Sequence, residues 1–552
     1  MKFHALVAAA ALLLPGFPAQ AADSTTDIQL LGINDFHSGM PSSFLATPDG
    51  PIEAGGAEYL AAQFDRLQKE NPRNTLRLSS GDNISSAALP MVALHDEPGI
   101  QALSMMRLDA SSVGNHEFDE GLAELRRMQN GGCHPVDGCM TGNTFKGASF
   151  PYLGANIVDK ATGKPAFDPY LVKELDGVKV GIIGVTHKNS LWEAPAPKPE
   201  IEGVDEAETV NKYVAELKDK GVHTIVVLIH QGGGQAGGGY SNDCNNLTGA
   251  IKPIVEKFDP EVDAVLSAHT HNTYNCVVNG IPVTQTTGYG REITQVKLKV
   301  DRASGNPVSV TAKNVPVTHD IRPDERVLQL KRKTAALGQE LLDRPVGMIA
   351  GDLTAQRNAA GESTIQTVLS DARLAATSPQ DKGGAQIALT PPYGGSIGGD
   401  LIVSPTGNDV PNLVTHGEAL RVQQFGNYLT VMTLSGAQLE QLLEQQWCGQ
   451  DARYPRVFGV SAGFTYTYDA AKAPCDRVDP ATMKLNGTVI DPGADYRVAM
   501  NSFIASGGDA FKVPLEGRDR VEKVRDIEAF ESYLRAKSPV APPALNRITR
   551  LH

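Results

Sequence analysis

The segment IQLLGINDFH, residues 28–37, joins a predicted strand to a pair of metal-ligand side chains. Its first part, Ile28 to Ile33, is a short apolar run of the kind found in strands that are covered on both faces. Asp35 and His37 follow two residues apart, so on an extended backbone both side chains point to the same side. A carboxylate and an imidazole suit Zn²⁺ or Mn²⁺. On its own, this pattern is more often a turn aspartate beside a surface histidine.

Four further motifs repeat the arrangement, with His, Asp or Asn after a strand-like run. The runs are Thr75–Leu78, Ala110–Val113, Thr224–Ile229 and Ala264–Leu266. The motifs are Gly81-Asp82-Asn83, Asn115-His116-Glu117, His230-Gln231-Gly232 and His269-Thr270-His271. Helix-like segments alternate with the strands, which predicts an α/β layered domain. Because strand ends of an open α/β sheet meet at one crevice, we expect the five motifs to converge there around metal.

Each of these motif residues could have either a catalytic or metal-binding role or an ordinary structural role. The Asp82 carboxylate has two oxygens and can bridge two metal ions, and Asn115 offers a neutral oxygen. His116 suits proton donation, and Asp119 can orient its imidazole if the segment turns as a helix. Individually, such residues are more often turn residues, helix caps or first-turn acids. The ordered set is far more specific, and it predicts phosphoester hydrolysis at a two-metal centre.

The N-terminus has the pattern of a secretory signal. Lys2 supplies a positive charge, Ala5–Leu14 is apolar, Pro15 ends the apolar run, and Ala19-Gln20-Ala21 fits a small-residue cleavage site. The apolar run is too short for a transmembrane helix, and a buried N-terminal helix is the alternative. We therefore expect a signal peptide at residues 1–21 and a periplasmic or secreted protein.

The six cysteines fit an oxidising compartment, because they fall into three sequence-local pairs. Several pairings of six cysteines are formally open. Proximity in the sequence is the only ground for choosing among them, and it favours the disulfides Cys133–Cys139, Cys244–Cys276 and Cys448–Cys475. A zinc–cysteine site is the alternative, but the chain has no CxxC pair.

The charge and length of the chain limit its partners and its architecture. A net charge of −13 argues against binding a nucleic-acid polymer, and metal ions would have to supply positive charge for a phosphorylated substrate. With 552 residues the chain is too long for one core. We expect an α/β domain at residues 22–322, an amphipathic linker helix at 323–345 and an α+β domain at 346–552. A helix packed on the first domain is the alternative for the linker.

The motif set resembles the calcineurin-like metallophosphoesterases. More narrowly, the chain is similar to the secreted 5′-nucleotidases, including the bacterial periplasmic UDP-sugar hydrolase/5′-nucleotidase type. The matching motifs are Asn34-Asp35-x-His37, Gly55-Gly56, Gly114-Asn115-His116-Glu117-Phe118-Asp119 and Ser502-Phe503-x-x-x-Gly507-Gly508-Asp509. This resemblance covers nearly the whole mature chain. It implies a metallophosphoesterase domain followed by a nucleotidase C-terminal domain that binds the substrate.

The resemblance also implies two divalent ions, Zn²⁺, Mn²⁺ or similar, and a catalytic pair. The first ion would be held by Asp35, His37, Asp82 and His271, and the second by Asp82, Asn115, His230 and His269. His116 and Asp119 would form the catalytic dyad. In-line attack of metal-bound water would then convert nucleoside 5′-monophosphates to nucleoside and phosphate.

A nucleoside site in the second domain is the last implication of the resemblance. Phe425 and Phe503 would stack on the base, because every base has a π-face, whereas core packing is the alternative for both rings. The other matching substrate residues are Arg357, Gly394, Gly395, Asn427 and Asp509. The chain departs from the family at one place that bears on substrate specificity. Gly398 stands where the family has an arginine, and the family's asparagine is also absent. A guanidinium that could bind phosphate or base is therefore missing.

Two alternatives for the function stay open. Among hydrolases, the substrate could instead be a UDP-sugar, a 2′,3′-cyclic nucleotide or another phosphoester. In a different class, the chain would be a secreted nucleotide-binding protein with little turnover. In each case we expect a monomer without a membrane span, whose partner is a small nucleotide.

Overall fold

The computed structural model describes residues 24–85, 89–193, 200–236, 238–391, 399–403, 410–423, 426–448 and 457–552. The predicted signal peptide lies outside these residues. The described residues form an N-terminal α/β domain and a C-terminal α+β domain, which confirms the predicted fold class.

The N-terminal domain contains strands and helices in alternation. Its described strands are β1 Thr25–Ile33, β2 Ser42–Leu45, β3 Ile52–Gly55, β4 Thr75–Ser79, β5 Ala110–Ser112, β6 Tyr152–Leu153, β7 Ile157–Asp159, β8 Tyr170–Leu175, β9 Val178–Thr186, β10 Ile201–Gly203, β11 Thr224–His230, β12 Gly234–Gln235, β13 Leu247–Thr248, β14 Val262–Ser267, β15 Tyr274–Val278, β16 Ile281–Gln285, β17 Glu292–Asp301 and β18 Pro307–Pro316. Its described helices are α1 Ala57–Gln68, α2 Leu89–Val92, α3 Glu97–Met105, α4 Leu122–Asn130, α5 Ser190–Glu193, α6 Glu206–Asp219 and α7 Ile251–Val255.

Two six-stranded sheets form the centre of this domain. The first has the order β18-β17-β1-β4-β5-β6, and the second has the order β15-β16-β14-β11-β9-β8. In β1, Ile28 and Leu30 face the space between the sheets, whereas Leu31 and Ile33 face the helices α1, α3 and α4. Strand β11 alternates in the same way between the inter-sheet space and α6 and α7. The domain is therefore a helix–sheet–sheet–helix sandwich, which explains why its central strands are apolar throughout.

The predicted elements mostly form close to their predicted positions. The strand predicted at Thr224–Ile229 is β11, and α1 is one of the helix-like segments that alternate with the predicted strands. Strands β17 and β18 are absent from the prediction. They form an antiparallel extension of the first sheet beside β1, and an α/β alternation gives no signal for such a hairpin.

The C-terminal domain is a mixture of small sheets and helices. Its described strands are β19 Pro345–Met348, β20 Ile387–Thr390, β21 Leu413–Thr415, β22 Tyr428–Ser435, β23 Gly459–Val460, β24 Phe464–Asp469, β25 Lys484–Leu485, β26 Thr488–Val489, β27 Asp495–Asn501, β28 Arg518–Arg525 and β29 Ile548–Leu551. Helix α8, described below, precedes them, and the later helices are α9 Thr364–Thr377, α10 His416–Val422, α11 Gly436–Glu444, α12 Ser502–Ala505 and α13 Asp526–Lys537. The main sheet has the order β23-β20-β27-β22-β28.

Helix α8, Glu325–Leu342, joins the two domains. The Asp324 side chain caps its N-terminus by accepting the backbone N–H groups of residues 326 and 327. The helix packs against α1, α2 and α3, and Lys331 Nζ lies 2.7 Å from Glu58 Oε1 on α1. The helix therefore packs on the first domain, which was the alternative to a free linker helix. Its C-terminal end leads directly into β19 of the second domain.

Disulfides form at three places in the described chain. The pairs are Cys133–Cys139, Cys244–Cys276 and Cys448–Cys475. They are the three pairs that proximity in the sequence favours. Among the described helices, none is long and apolar enough to cross a membrane.

Candidate metal centre and active-site cleft

The ligand-bearing loops leave strands that end at the same level of the two sheets. In the first sheet, Ile33 lies opposite Ser79, which lies opposite Ser111, so β1, β4 and β5 end side by side. In the second sheet, Ile229 of β11 lies opposite Ser267 of β14. The parallel strands therefore deliver all five loops to one edge of the domain, as predicted from their sequences.

The first cluster at this edge consists of Asp35, His37 and His271, whose ligand atoms all lie within 4.8 Å of one another. Nε2 of His37 lies 3.1 Å from Nε2 of His271, which lies 3.3 Å from Asp35 Oδ1. Nδ1 of His37 donates to the Ser85 carbonyl at 3.0 Å, so its Nε2 keeps a lone pair. Burial lowers the pKa of His37 to about 4. The ring is therefore neutral, as a metal-ligating imidazole must be.

The second cluster consists of Asp82, His230 and His269, with Asn115 beside them. Nδ1 of His230 donates to the Ser80 carbonyl at 2.9 Å, and its Nε2 lies 3.0 Å from Asp82 Oδ2 and 3.1 Å from Asn115 Oδ1. Nδ1 of His269 lies 3.1 Å from the same Asn115 oxygen. In neutral His230, Nε2 is an acceptor like the two oxygens, and acceptor atoms this close repel one another unless a cation lies among them. Burial lowers the pKa of His230, but Asp82 outweighs it and raises this pKa to about 9, so a proton can supply the charge.

Asp82 lies between the two clusters. Its Oδ2 is 3.0 Å from His230 Nε2 and 4.0 Å from His37 Nε2. Carboxylate, imidazole and amide oxygen donors are the ligands that Zn²⁺ and Mn²⁺ use. The donor set therefore fits divalent cations, and its division into two groups around one carboxylate fits a pair of them.

The backbone of five proposed ligands lies in the left-handed region. The φ angles are 49° at Asp35, 46° at His37, 51° at Asp82, 76° at His269 and 53° at His271. Residues with a Cβ rarely adopt this conformation, and where they do it concentrates at functional sites. The surrounding packing therefore fixes these loops in a conformation that the residues do not prefer by themselves.

Glu117 holds one of these loops through its backbone. Its buried carboxylate accepts the N–H groups of Asp82 and Asn83, each at 2.8 Å, and of Gly114 at 2.7 Å. Oδ1 of Asp82 in turn accepts the N–H of His116 at 2.9 Å. A Cβ atom at Gly114 would lie only 2.1 Å from that Asp82 oxygen, so no other residue fits there without a shift.

His116 and Asp119 form a hydrogen-bonded pair beside the first cluster. The 3₁₀ turn His116–Phe118 brings Nδ1 of His116 to 2.7 Å from Asp119 Oδ2, and the ring centroids of His116 and His37 are 5.2 Å apart. Burial lowers the pKa of His116, but the charges of Asp119 and Asp82 outweigh it and raise this pKa to about 10. A protonated imidazole held in this way can donate to a leaving oxygen.

A cleft between the two domains passes this pair. Its walls include His116, Asp119 and Glu120 from the N-terminal domain, and Gly426 and Arg525 from the C-terminal domain. Arg525 spans the cleft, with one guanidinium nitrogen 2.8 Å from Glu120 Oε1. The second domain therefore closes over the side of the metal centre on which the pair lies.

The predicted substrate residues lie on the second domain, and the structure describes four of them. Asn427 is buried beside Gly426, Asp509 and Arg357 are half-buried, and Phe503 is 36% exposed with its ring against Gly508. The predicted residues Phe425, Gly394 and Gly395, and the altered position Gly398, lie outside the described residues. The roles of the whole set stay predictions.

Two residues shape the centre without having been assigned a role from the sequence. One is Glu117, for which the only signal in the sequence was its position directly after the proposed dyad residue His116. The other is Tyr289, whose ring centroid lies 5.2 Å from that of His37 and 5.4 Å from that of His271. An aromatic residue between Gly288 and Gly290, shortly after β16, was the signal in that case.

Known proteins share both domains of this chain. A family model for calcineurin-like phosphoesterases matches residues 28–273, and one for the 5′-nucleotidase C-terminal domain matches residues 345–516. The chain is 31% identical to the endonuclease YhcR of Bacillus subtilis, over 94% of this chain and 41% of that protein. It is also 31% identical to the cell wall protein Lmo0130 of Listeria monocytogenes, over 94% of this chain and 68% of that protein.

More distant relatives also match nearly the whole of this chain. The chain is 25% identical to the 2′,3′-cyclic-nucleotide 2′-phosphodiesterase/3′-nucleotidase of Salmonella typhimurium, over 90% of this chain and 84% of that protein. The crystal structure of a 5′-nucleotidase precursor from Thermus thermophilus superimposes with a TM-score of 0.58 at 24% identity, and covers 96% of this chain and 100% of that one.

The fold and the centre together define a calcineurin-like metallophosphoesterase. Within that class, the chain belongs to the 5′-nucleotidase family of metal-dependent phosphoester hydrolases.

We predict that Glu117→Gln weakens metal binding by roughly 10- to 100-fold, as the loss of a residue that holds metal ligands in place usually does. The amide keeps one acceptor oxygen but turns an N–H group towards backbone donors. Equilibrium dialysis of the purified protein against Zn²⁺ measures the effect. Glu216→Gln, on the exposed face of α6, is the control and should bind as the wild type does. Equal affinity in both variants would contradict the role of Glu117.

Proposed function

We propose that this protein hydrolyses nucleoside 5′-monophosphates to nucleoside and phosphate at a dinuclear metal centre. One observation carries the proposal: two acceptor clusters share Asp82 and lie beside the hydrogen-bonded pair His116 and Asp119. One ion would be held by Asp35, His37, Asp82 and His271, and the other by Asp82, Asn115, His230 and His269. When bound, such ions neutralise phosphoryl oxygens and activate water for in-line attack.

His116 would act as the proton donor in this reaction. Its Nδ1 hydrogen is committed to Asp119 at 2.7 Å, so Nε2 is the atom that can give a proton to the leaving 5′-oxygen. Asp119 would orient the ring and keep it protonated. Asp82 would contribute to the same end, because its charge also raises the pKa of His116.

The second domain would hold the nucleoside across the cleft. Phe503, with part of its ring exposed, would stack on the base together with Phe425. Asn427 and Asp509 would contact the nucleoside, while Arg357 would lie near the phosphate and Gly394 and Gly395 would line the substrate loop. The substrate would thus bridge the two domains as a small nucleotide bound by a monomer.

Export is part of the proposal. The first 21 residues have the order of a secretory signal, and the described cysteines all form disulfides. A periplasmic or extracellular enzyme would meet nucleotides released outside the cytoplasm.

A 2′,3′-cyclic nucleotide is the second candidate substrate. The Salmonella relative carries that activity in its name and matches 90% of this chain, and the altered loop at Gly398 bears on specificity. UDP-sugars belong in the same comparison, and a binding protein without turnover is the remaining alternative.

We expect AMP hydrolysis to require added Mn²⁺, Zn²⁺ or Co²⁺ and to stop after EDTA treatment. Hydrolysis of AMP, UMP, 2′,3′-cyclic AMP and UDP-glucose is followed by chromatography of the nucleoside and nucleotide products, because cleavage of the last two does not itself release inorganic phosphate, and the ratio of kcat/KM values identifies the substrate class. Restored activity on adding the metal back is the control for protein integrity. Tight AMP binding without phosphate release under any metal would favour the binding protein instead.

We predict that His116→Ala lowers kcat for AMP by roughly 10²- to 10⁴-fold, the usual contribution of general acid catalysis. Metal content should stay near that of the wild type, because the ring is not among the proposed ligands. His230→Ala is the contrasting variant and should lose bound metal together with activity. If His116→Ala loses the metal as well, the ring is a ligand and the proposed dyad is wrong.

We predict that Phe503→Ala raises KM for AMP, because loss of one stacking ring costs about 1–3 kcal/mol. Ribose 5-phosphate, which carries no base, should be hydrolysed with an unchanged kcat/KM. Steady-state kinetics with both substrates separate the two effects. An equal loss on both substrates would place Phe503 outside the base-binding site.

A further inference from the structure

Ser85 contacts both functional parts of the centre. Its hydroxyl donates to Asp119 Oδ2 at 2.5 Å, and its backbone carbonyl accepts Nδ1 of His37 at 3.0 Å. One residue therefore touches the acid of the proposed dyad through its side chain and a proposed metal ligand through its backbone. Ser85 also lies in the wall of the cleft beside His116, and it is not among the proposed ligands.

One oxygen of Asp119 receives two hydrogen bonds. Nδ1 of His116 lies 2.7 Å from Asp119 Oδ2, and the Ser85 hydroxyl donates to the same oxygen. An ionised carboxylate only accepts hydrogen bonds, and each of its oxygens has two lone pairs. The two donors therefore fill both lone pairs of the oxygen that holds the His116 ring.

The serine hydroxyl fixes which oxygen of Asp119 faces the ring. A carboxylate bound by a single donor can turn about its last torsion, because terminal torsions of this kind have broad energy minima. A second donor from another loop removes that freedom, and Ser85 precedes Asp119 by 34 positions. The Asp119 side chain is only 14% exposed, so solvent competes weakly for the same oxygen.

The backbone of Ser85 is held at both of its polar groups. Its N–H donates to Oδ2 of the buried Asp96 at 2.9 Å, and its carbonyl accepts from His37. Its φ angle of 64° lies in the left-handed region, which non-glycine residues seldom adopt and which concentrates at functional sites. The position of the hydroxyl is therefore set by contacts on two sides of the loop.

We propose that Ser85 is a positioning residue for the proton donor: through Asp119 it holds the His116 ring so that Nε2 can give a proton to the leaving oxygen. This role rests on the one proposed above for His116. No bond to Ser85 forms or breaks, and its hydrogen stays on Oγ. Ser85 therefore matters to the extent that the leaving oxygen needs a proton, and it contributes little where the leaving group departs as a stable anion.

The test compares two aryl phosphates on the intact, metal-loaded protein. Phenoxide is a stronger base than p-nitrophenoxide, so phenyl phosphate depends more on protonation of its leaving oxygen than p-nitrophenyl phosphate does. We expect Ser85→Ala to lower kcat for phenyl phosphate and AMP by roughly 10- to 100-fold, as loss of a hydrogen bond to a charged group does. KM for both, and turnover of p-nitrophenyl phosphate, should stay near the wild-type values.

Two further variants and a metal count separate this role from a general loss of structure. Ser85→Gly removes the same hydroxyl and suits the positive φ, so it gives the answer if Ser85→Ala is not folded by circular dichroism. Bound metal, measured by mass spectrometry, should be unchanged in both, because the carbonyl that holds His37 remains. Ser304→Ala is the matched control. Its hydroxyl donates to Asp301 Oδ1 at 2.9 Å, at the end of the first sheet opposite the ligand loops, and its kinetics should be those of the wild type.

A double-mutant cycle shows whether Ser85 acts through His116. In the His116→Ala background, Ser85→Ala should cause no further loss on phenyl phosphate, whereas independent effects would multiply. A further loss there, equal losses on both aryl phosphates, or wild-type turnover in both Ser85 variants would overturn the role of Ser85. If AMP is not hydrolysed while the aryl phosphates behave as expected, the role of Ser85 stands and only the nucleotide specificity is wrong.

Discussion

Oxygen atoms of Asp82 and Asn115 lie 3.0 and 3.1 Å from Nε2 of His230, and the loops of the N-terminal domain hold the three side chains there. Such a group of side chains needs positive charge, which a proton on His230 can supply and a bound divalent ion would supply in its place. Holding these atoms together costs free energy, and a bound cation would offset that cost. Metal affinity and the stability of the fold are therefore linked at this centre.

Connections between the two sheets maintain this arrangement. Asp35 follows a strand of the first sheet, yet both of its carboxylate oxygens accept the backbone N–H of His269, which follows a strand of the second, at 3.0 Å. Glu117 adds three backbone hydrogen bonds to the loops of Asp82 and Gly114. These contacts account for the left-handed backbone at the ligand residues, because a conformation that a residue disfavours persists only where its surroundings fix it.

The second domain gives the centre a closed side. Arg525 reaches Glu120, the residue after Asp119, so an interdomain ion pair lies directly beside the proposed proton donor. A partly buried ion pair of this kind is costly to leave unpaired. Any movement of one domain relative to the other must therefore provide Arg525 with a new partner, whereas Glu120 keeps His95 and His134 within 4.0 Å.

The sequence predicted which loops meet at the candidate metal centre because its signals are local. A buried strand is apolar over its whole length, and a ligand directly after it, such as Asp35 or His230, is placed by the end of that strand. The roles of Glu117 and Tyr289 carried no comparable signal, since each depends on contacts with residues far away in the chain. The same holds for β17 and β18, which join the first sheet through pairing with β1 and not through any local pattern.

The amino-acid sequence by itself determined the class of fold, the residue types at the centre and the kind of ion that they suit. Only the tertiary structure decided which nitrogen of each histidine faces the centre, which oxygen of Asp82 lies between the clusters, and that Arg525 closes the cleft at Glu120. It also decided that His95 and His134, 39 positions apart in the sequence, stack on each other with Asp137 at one edge of the rings and Glu120 at the other. The physical reason is that periodicity and residue type act over a few neighbouring residues, whereas ligand geometry depends on strands and loops that meet only after the chain has folded.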